Sequence, residues 1–232
     1  MYASLSKKIY LWLVCLIRRA GADMSSRDCI YVVAPTSAGS PGDQALFQGL
    51  TDKLGEYFGD AELVEVLIKR RHQPQVLRHG SLPTFNLNSG SPFRLLLLRR
   101  RLKSAKAVII VGADTLDGSY ALKKNLVWFK LAELSASLGI PTSIISFSFS
   151  NKPAAEAVER LRKLNPVIHF CSRDPVSKER FEAYTGQACT LNADLAFLMQ
   201  PAEKQDRAVS DWVKKQRSAG SLIVGLNVNP LG

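Results

Sequence analysis

The residues of this 232-residue chain that could do chemistry come in three short groups. The first is a glycine and an aspartate in a turn, and the second is two aspartates close behind another glycine. The third is an arginine followed by an aspartate and a serine. Backbone amides at a glycine turn and a guanidinium are both suited to hold an anion, so the groups indicate an anion-binding crevice. The residues are Gly42 and Asp43, then Gly112, Asp114 and Asp117, then Arg173, Asp174 and Ser177.

The first group lies in the turn Gly39–Ala45, which follows the apolar run Cys29–Pro35 and opens a helical pattern. A strand, a glycine-rich turn and a helix make a recurrent anion site, because glycine lets the backbone approach a ligand and the first helical turn has free N–H groups. Many α/β proteins use the same turn without a ligand, so both interpretations stay open. The turn matches neither GxGxxG nor GxxxxGK(S/T), so neither a dinucleotide site nor a Walker-type ATP site is indicated.

The other two groups also have purely structural interpretations. Asp114 and Asp117 could cap a turn and the helix after it. Arg173 and Asp174 could form an ion pair at the end of a strand, with Asp174 capping a helix that begins at Pro175. A structural role at the start of a helix explains Asp174 more readily than it explains an arginine, Arg173, beside the expected crevice.

Several kinds of catalytic site have no counterpart in the sequence. No Ser/His/Asp, metal-ligand or paired-carboxylate arrangement stands out, and we expect neither a metal nor a cofactor. The cysteines lack CxxC or Cys/His spacing, which argues against zinc and a disulfide framework and suits a reducing cytosol. His169 is predicted to lie inside a strand, and Asp194 could cap a turn. The cysteines are Cys15, Cys29, Cys171 and Cys189.

The elements that must position these residues alternate along the chain. Apolar, β-branched runs are separated mostly by helix-length stretches with a period near 3.6, which predicts an α/β fold with a mostly parallel sheet covered by helices on both faces. Ligands of such a sheet bind beyond the carboxyl ends of the strands, which is where the polar groups lie. The runs are 29–35, 61–68, 107–112, 142–149, 166–171 and 189–197.

Two helices are predicted from their apolar faces, and one segment interrupts the alternation. Residues 70–93 are rich in Gly, Pro, Ser and Asn and are predicted to form a long loop. The helical faces are Leu46, Leu50, Leu54 and Phe58 in the first helix, and Val127, Leu131, Leu134 and Leu138 in another that Gly139 and Pro141 close.

Composition divides the chain into an N-terminal extension at 1–27, an α/β domain at 28–200 and a C-terminal part at 201–232. The apolar run of the extension is too short to span a bilayer, which needs about 20 residues. We expect a short helix on a membrane surface, a helix packed on the domain, or a non-native upstream start. The C-terminal part has the pattern of a linker helix and the first strand of a second domain, and we expect that domain to be truncated.

The net charge of +11 is concentrated in one segment. Ten Lys or Arg residues and no Asp or Glu lie between Lys69 and Lys106. Such a segment indicates an anionic partner, namely a phosphorylated substrate, acidic lipid headgroups or nucleic acid. Nucleic acid is not expected, because no RRM, zinc-finger or helix-turn-helix signature is present and no aromatic residues are interleaved with the basic ones.

In their order and spacing, five short motifs resemble those of the polysaccharide pyruvyl transferase family. The resemblance covers residues 29–200, the N-terminal half of the family, and reaches the start of the second half at 221–232. It implies a Rossmann-like domain, the first of two that face each other across a cleft as in GT-B glycosyltransferases. The motifs are SPGDQA at 40–45, VGADTLDGSY at 111–120, GIP at 139–141, SRDPVS at 172–177 and NADLAF at 192–197.

The resemblance implies transfer of the pyruvyl group of phosphoenolpyruvate to two hydroxyls of a saccharide, as a cyclic ketal, in the synthesis of exopolysaccharide or cell-surface glycan. In this interpretation Arg173 clamps the donor's anionic groups, while Gly42 and Asp43 line the cleft. Asp114 and Asp117 position substrate hydroxyls or hold the turn. Within the SRDPVS motif, Asp174 and Ser177 are further candidates for binding substrate. The general acid is not identified, and part of the donor pocket is expected from the second domain.

Two other functions remain open at this level: a GT-B glycosyltransferase that uses a nucleotide sugar, and a non-catalytic remnant or binding module. The expected partners are a small-molecule donor and a saccharide acceptor, free or lipid-linked, and not nucleic acid. The expected location is the cytoplasm, with peripheral contact to the inner face of an anionic membrane.

Overall fold

The computed structural model describes residues 29–35, 40–68, 73–78, 80–87, 91–200 and 207–224. The chain divides after Met199 into two compact units. The predictions for the extension at 1–27 and for Cys15 lie outside the described residues.

The first unit alternates strands and helices, as the spacing of apolar runs predicts. Its strands are β1 (Cys29–Val33), β2 (Glu62–Leu67), β3 (Thr84–Asn86), β4 (Ala105–Ala113), β5 (Thr142–Phe147), β6 (His169–Ser172) and β7 (Cys189–Leu191). Its helices are α1 (Pro41–Tyr57), α2 (Pro92–Leu102), α3 (Leu122–Ser137), α4 (Ala155–Arg162) and α5 (Pro175–Thr185), with a 3-10 helix at Leu195–Leu198.

The seven strands form one sheet in the order β3-β2-β1-β4-β5-β6-β7, and every neighbouring pair is parallel. The strand order reverses direction between β1 and β4, which is the arrangement of a Rossmann-like fold. The predicted fold class is therefore confirmed. A ligand crevice is expected at this reversal, outside the carboxyl ends of the strands.

Two apolar cores cover the two faces of the sheet. On one face, α1 and the 3-10 helix pack against β1 and β4. On the other, α2, α3, α4 and α5 pack against the sheet through side chains that include Leu98, Trp128, Leu161 and Phe181. The predicted apolar faces of α1 and α3 are confirmed, because all eight residues lie in or against these cores.

Local signals set several helix ends. Ser40, Ser91 and Asp174 each cap a helix that begins with a proline. Each of these side chains accepts a hydrogen bond from a backbone N–H of the first turn. Gly139, with a φ of +72°, follows the last turn of α3, as predicted. These caps fix where the helices begin above the carboxyl edge of the sheet.

Two boundaries differ from the predictions. The segment 70–93 is not loop throughout, because it contains β3 and the start of α2. β3 is only three residues long with one buried side chain, Phe85, so it lacks a readable alternation. The apolar run at 189–197 splits into β7 and the 3-10 helix, because Asp194 accepts a hydrogen bond from the Ala196 N–H and starts a new turn.

The second unit contains α6 (Arg207–Ser218), and none of the residues in this helix is buried. Ser221–Val224 has no regular secondary structure, and the rest of the predicted strand at 221–230 lies outside the described residues. That strand stays a prediction. Among the helices that the structure describes, none has the length and apolar character needed to cross a membrane.

Candidate functional site

The Arg173 side chain connects the loops that follow four strands. Its Nε donates a hydrogen bond of 2.8 Å to Ser148 Oγ, and its Nη1 donates one of 3.1 Å to Asp194 Oδ2. Its Nη2 donates to Asp114 Oδ1. Since these residues follow β4, β5, β6 and β7, a single guanidinium fixes the carboxyl edge of this half of the sheet.

These contacts change the electrostatics expected for Arg173. Two carboxylates, Asp114 and Asp194, pair with one guanidinium, so the cluster has an excess of negative charge. Three of the five N–H donors of an arginine are used in the three hydrogen bonds, which leaves one on each terminal nitrogen. The predicted ion pair with the neighbouring Asp174 is replaced by these two longer-range pairs.

Asp117 is buried and connects its own loop, after β4, to the loop after β5 through hydrogen bonds. Only 2% of the residue is exposed. Its Oδ1 accepts a 2.9 Å hydrogen bond from the Ser119 N–H, and its Oδ2 accepts a 3.0 Å hydrogen bond from the Ser150 N–H. Because both oxygens are occupied by backbone amides, the geometry matches the expectation that Asp117 holds the turn.

Asp174 and Ser177 form a capping arrangement at the start of α5. Asp174 accepts hydrogen bonds from the Ser177 N–H (2.8 Å) and from the Ser177 hydroxyl (2.7 Å). The same hydroxyl accepts a 2.9 Å hydrogen bond from the Phe149 N–H. The prediction that Asp174 caps a helix beginning at Pro175 is therefore confirmed.

The hydrogen bonds at Asp174 also set its protonation. Burial by itself raises the pKa of Asp174, but the hydrogen bonds from Ser177 and the nearby positive charge of Arg173 outweigh it and lower the pKa below its usual value. Asp174 is therefore ionised at neutral pH, which makes it unsuited to act as a general acid.

The strand ends beneath these loops have an unusual backbone. Ala113 and Ser146 have φ angles of +46° and +51°, in the left-handed region that residues other than glycine seldom adopt. A Cβ added to Gly112 would lie 2.6 Å from the Phe147 Cβ, so only glycine permits this close approach of β4 and β5. Gly112 thus has a packing role that accounts for it without a ligand.

A pocket of about 330 Å³ opens at this carboxyl edge. It brings together four of the residues singled out in the sequence, namely Asp114, Asp117, Asp174 and Ser177. Gly42, Asp43, Gly112 and Arg173 do not line it, although Arg173 contacts its wall through Asp114 and Ser148. Five further lining residues were not among the predicted substrate-binding residues: Tyr120, Ser148, Phe149, Ser150 and Arg180.

Arg180 is the cation of this pocket. Its side chain lies on α5, and its Nη1 donates a 3.4 Å hydrogen bond to the Phe149 carbonyl oxygen. No carboxylate of the described chain forms an ion pair with it, in contrast to Arg173. No sequence motif marks Arg180, but its three-residue spacing from Ser177 on α5 places both side chains on one side of that helix and is a signal that could have found it.

Gly42 and Asp43 lie in the first turn of α1, above the end of β1. A Cβ added to Gly42 would meet nothing within 4 Å, so packing does not require glycine there. Helix α3, which follows β4, contacts the loop after β1. Lys124 Nζ on α3 donates a hydrogen bond to the Pro35 carbonyl oxygen, and it lies 4.5 Å from the centre of the Trp128 ring. The role of the α1 turn in binding stays a prediction.

Comparison with known proteins identifies the family of the chain. None of the curated proteins in the comparison matches it. The family model described as polysaccharide pyruvyl transferase matches residues 41–226, which is most of the chain and includes every residue of the pocket. The chain belongs to the polysaccharide pyruvyl transferase family.

Proposed function

We propose that this protein contributes to the transfer of pyruvyl from phosphoenolpyruvate to two hydroxyls of a saccharide during the synthesis of an extracellular or cell-surface glycan. In this reaction C2 of the donor gains two C–O bonds to the acceptor and loses phosphate. The two hydroxyls lose their protons, of which the equivalent of one is gained by the methylene carbon and the other leaves with the phosphate. The observation that carries the proposal, beside family membership, is the arginine Arg180, which has no carboxylate partner among the described residues and lies in a pocket that also holds an exposed carboxylate.

The anionic groups of the donor need cations and N–H donors, and Arg180 supplies both. A guanidinium binds a carboxylate or phosphate through two parallel hydrogen bonds. Arg180 is half-buried and has donors left after its single hydrogen bond to Phe149. We therefore assign it the first contact with a donor anion.

Arg173 is our candidate for a second contact, through the two N–H donors that its three hydrogen bonds leave over and the Nη2 donor that Asp114 now occupies. The Asp114 side chain is 65% exposed, so water can solvate it when an incoming anion takes its place on the guanidinium. Asp194 keeps its bond to Nη1 in this arrangement and holds the side chain in position.

The acceptor needs groups that bind hydroxyls and cover a sugar ring. Asp114 offers exposed carboxylate oxygens, and Ser148 and Ser150 add hydroxyls to the pocket wall. The side chain of Tyr120 at the pocket is exposed, and the residue has 82% of its surface accessible. An aromatic ring with one free face gives an apolar platform for the C–H groups of a saccharide.

The decisive experiment measures phosphate release from phosphoenolpyruvate in the presence and absence of saccharide acceptors. We expect release that depends on the acceptor, together with a ketal product seen by mass spectrometry. Titration of the chain with phosphoenolpyruvate by calorimetry tests the donor site independently of turnover. A folded protein that neither binds the donor nor releases phosphate with any acceptor would contradict the proposal.

A further inference from the structure

Helix α2 has an outward stripe that is apolar at one end and basic at the other. Phe93 and Leu96 are 66% and 51% exposed. Arg100 and Lys103 continue the same stripe at spacings of four and three residues, which keeps all four on one side of the helix. On the inward side, Leu98 and Leu102 are fully buried in the core. The stripe therefore has no packing role within the described chain.

The charges of α2 are also unbalanced. Its arginines and the lysine that follows form no ion pair with any acidic residue that the structure describes. The guanidinium of Arg101 lies 5.3 Å from the centre of the Phe85 ring instead. The neighbouring α3 carries three lysines and a single acidic residue, Glu133. The basic residues of α2 and its end are Arg94, Arg99, Arg100, Arg101 and Lys103.

The opposite face of the sheet has the reverse balance. There, α1 carries Asp43, Asp52 and Glu56 against one lysine, Lys53. Among the helices of the described chain, the excess of positive charge therefore lies on the face that α2 and α3 cover. Such an asymmetry of charge orients a protein toward an anionic surface. The electrostatic attraction acts over about one Debye length.

We propose that the α2 stripe binds the surface of a bilayer that contains anionic lipids. Phe93 and Leu96 enter the boundary between headgroups and acyl chains, while the guanidinium groups contact lipid phosphates. Binding of a helix to a membrane surface strengthens with its buried apolar area and with its attraction to anionic lipids, and α2 supplies both. This inference does not depend on the reaction proposed above.

The stripe fits a bilayer better than it fits the other possible occupants. A second copy of the chain would bring five cations of one α2 against those of another, which opposes association. A nucleic acid would neutralise the arginines but would leave Phe93 and Leu96 exposed to water. Because α2 follows β3 in a parallel sheet, its apolar end with Phe93 and Leu96 lies toward the carboxyl edge of the sheet, which is also the edge that holds the pocket.

Vesicle flotation with the full chain tests the proposal. We expect binding to vesicles of phosphatidylcholine mixed with phosphatidylglycerol and not to phosphatidylcholine alone, with loss of binding between about 0.1 M and about 1 M salt. The variant Arg100→Gln/Lys103→Gln should bind about tenfold more weakly or worse. The variant Phe93→Ser/Leu96→Ser should weaken binding at low salt without changing its salt dependence.

Two controls match these variants in chemistry but lie elsewhere. Arg160→Gln/Lys163→Gln removes two exposed charges at α4, and Val167→Ser removes an exposed apolar side chain. Both should bind as the unaltered chain does. Equal binding to the two kinds of vesicle, or α2 variants that bind normally, would overturn the proposal. Tighter binding to duplex RNA that Phe93→Ser/Leu96→Ser leaves unchanged would overturn it in favour of nucleic acid.

Discussion

Arg173 and Asp194, which are 21 positions apart in the sequence, form an ion pair in which Nη1 donates to Oδ2 across 3.1 Å. The side chains are 20% and 27% exposed, so water screens the pair only partly. Asp194 also caps the 3-10 helix by accepting a hydrogen bond of 2.9 Å from the Ala196 N–H. One carboxylate thus joins the arginine after β6 to the turn after β7.

We expect Asp194→Ala to lower the free energy of unfolding by about 1–3 kcal/mol, since it removes a cap and leaves a partly buried guanidinium with one carboxylate fewer. Asp194→Asn retains an oxygen for the cap and should have a smaller effect. Urea denaturation followed by circular dichroism measures both. The exposed Asp211→Asn serves as the control and should change stability little. If Asp194→Ala matched that control, the pair would have no structural role.

Asp117 gives a second test, because each of its oxygens accepts a backbone N–H. Asp117→Ala leaves two part-buried backbone donors without their acceptors, which we expect to lower the free energy of unfolding by about 1–3 kcal/mol. Asp117→Asn should be nearly as harmful, because its amide nitrogen would face one of these donors. The matched change Asp114→Asn, at a largely exposed side chain, should cost much less. Equal losses at the two positions in urea denaturation would contradict the assignment.

The alternation of apolar runs was sufficient to predict the sheet, because β4 and β5 are buried along their whole length and the sequence of β4 is almost continuously apolar. It did not reveal β3, where only Phe85 is buried. A strand of three residues at an edge has too few side chains to show a period.

The candidate pocket was predictable in its location but not in its connections. The polar groups after the strands marked the edge of the sheet at which the pocket opens, and the cap at Asp174 follows from the proline after it. The pairs of Arg173 with Asp114 and Asp194 join residues of three different loops, and nothing in their local sequence specifies them. Arg180 was missed for a related reason, since the side of α5 that faces the pocket is set by packing of the helix on the sheet.

Glu65 on β2 makes stability depend on pH. Only 1% of the residue is exposed, and its Oε2 accepts a hydrogen bond of 3.0 Å from the Gln75 N–H. Burial raises the pKa of Glu65 to about 7, although the hydrogen bond from Gln75 opposes the shift. The folded state therefore holds a proton that the unfolded state releases near pH 4.5.

Because the folded state binds more protons between these two pKa values, stability falls as pH rises from about 4.5 to about 7 and then levels off. Glu65→Gln should remove this decline and raise the free energy of unfolding at pH 8 by about 1–3 kcal/mol. Urea denaturation at pH 5 and pH 8 measures the difference. The exposed Glu62→Gln is the matched control on the same strand and should retain the decline. If the stability of Glu65→Gln still fell between pH 5 and pH 8, the decline would come from another titratable group.

Arg180 and Arg173 make the proposed donor site testable by binding alone. Arg180 lines the pocket and has no carboxylate partner among the described residues, so Arg180→Gln should weaken phosphoenolpyruvate binding at least about tenfold while leaving stability nearly unchanged. Arg173→Lys keeps the charge but cannot reproduce three directed hydrogen bonds, so we expect both weaker binding and lower stability. Calorimetric titration and urea denaturation of the same samples separate the two effects.

Arg160→Gln, which removes an exposed charge on α4, is the control and should bind the donor normally. Normal binding by Arg180→Gln would remove this residue from the donor site, and a loss confined to stability in Arg173→Lys would leave Arg173 with a structural role only.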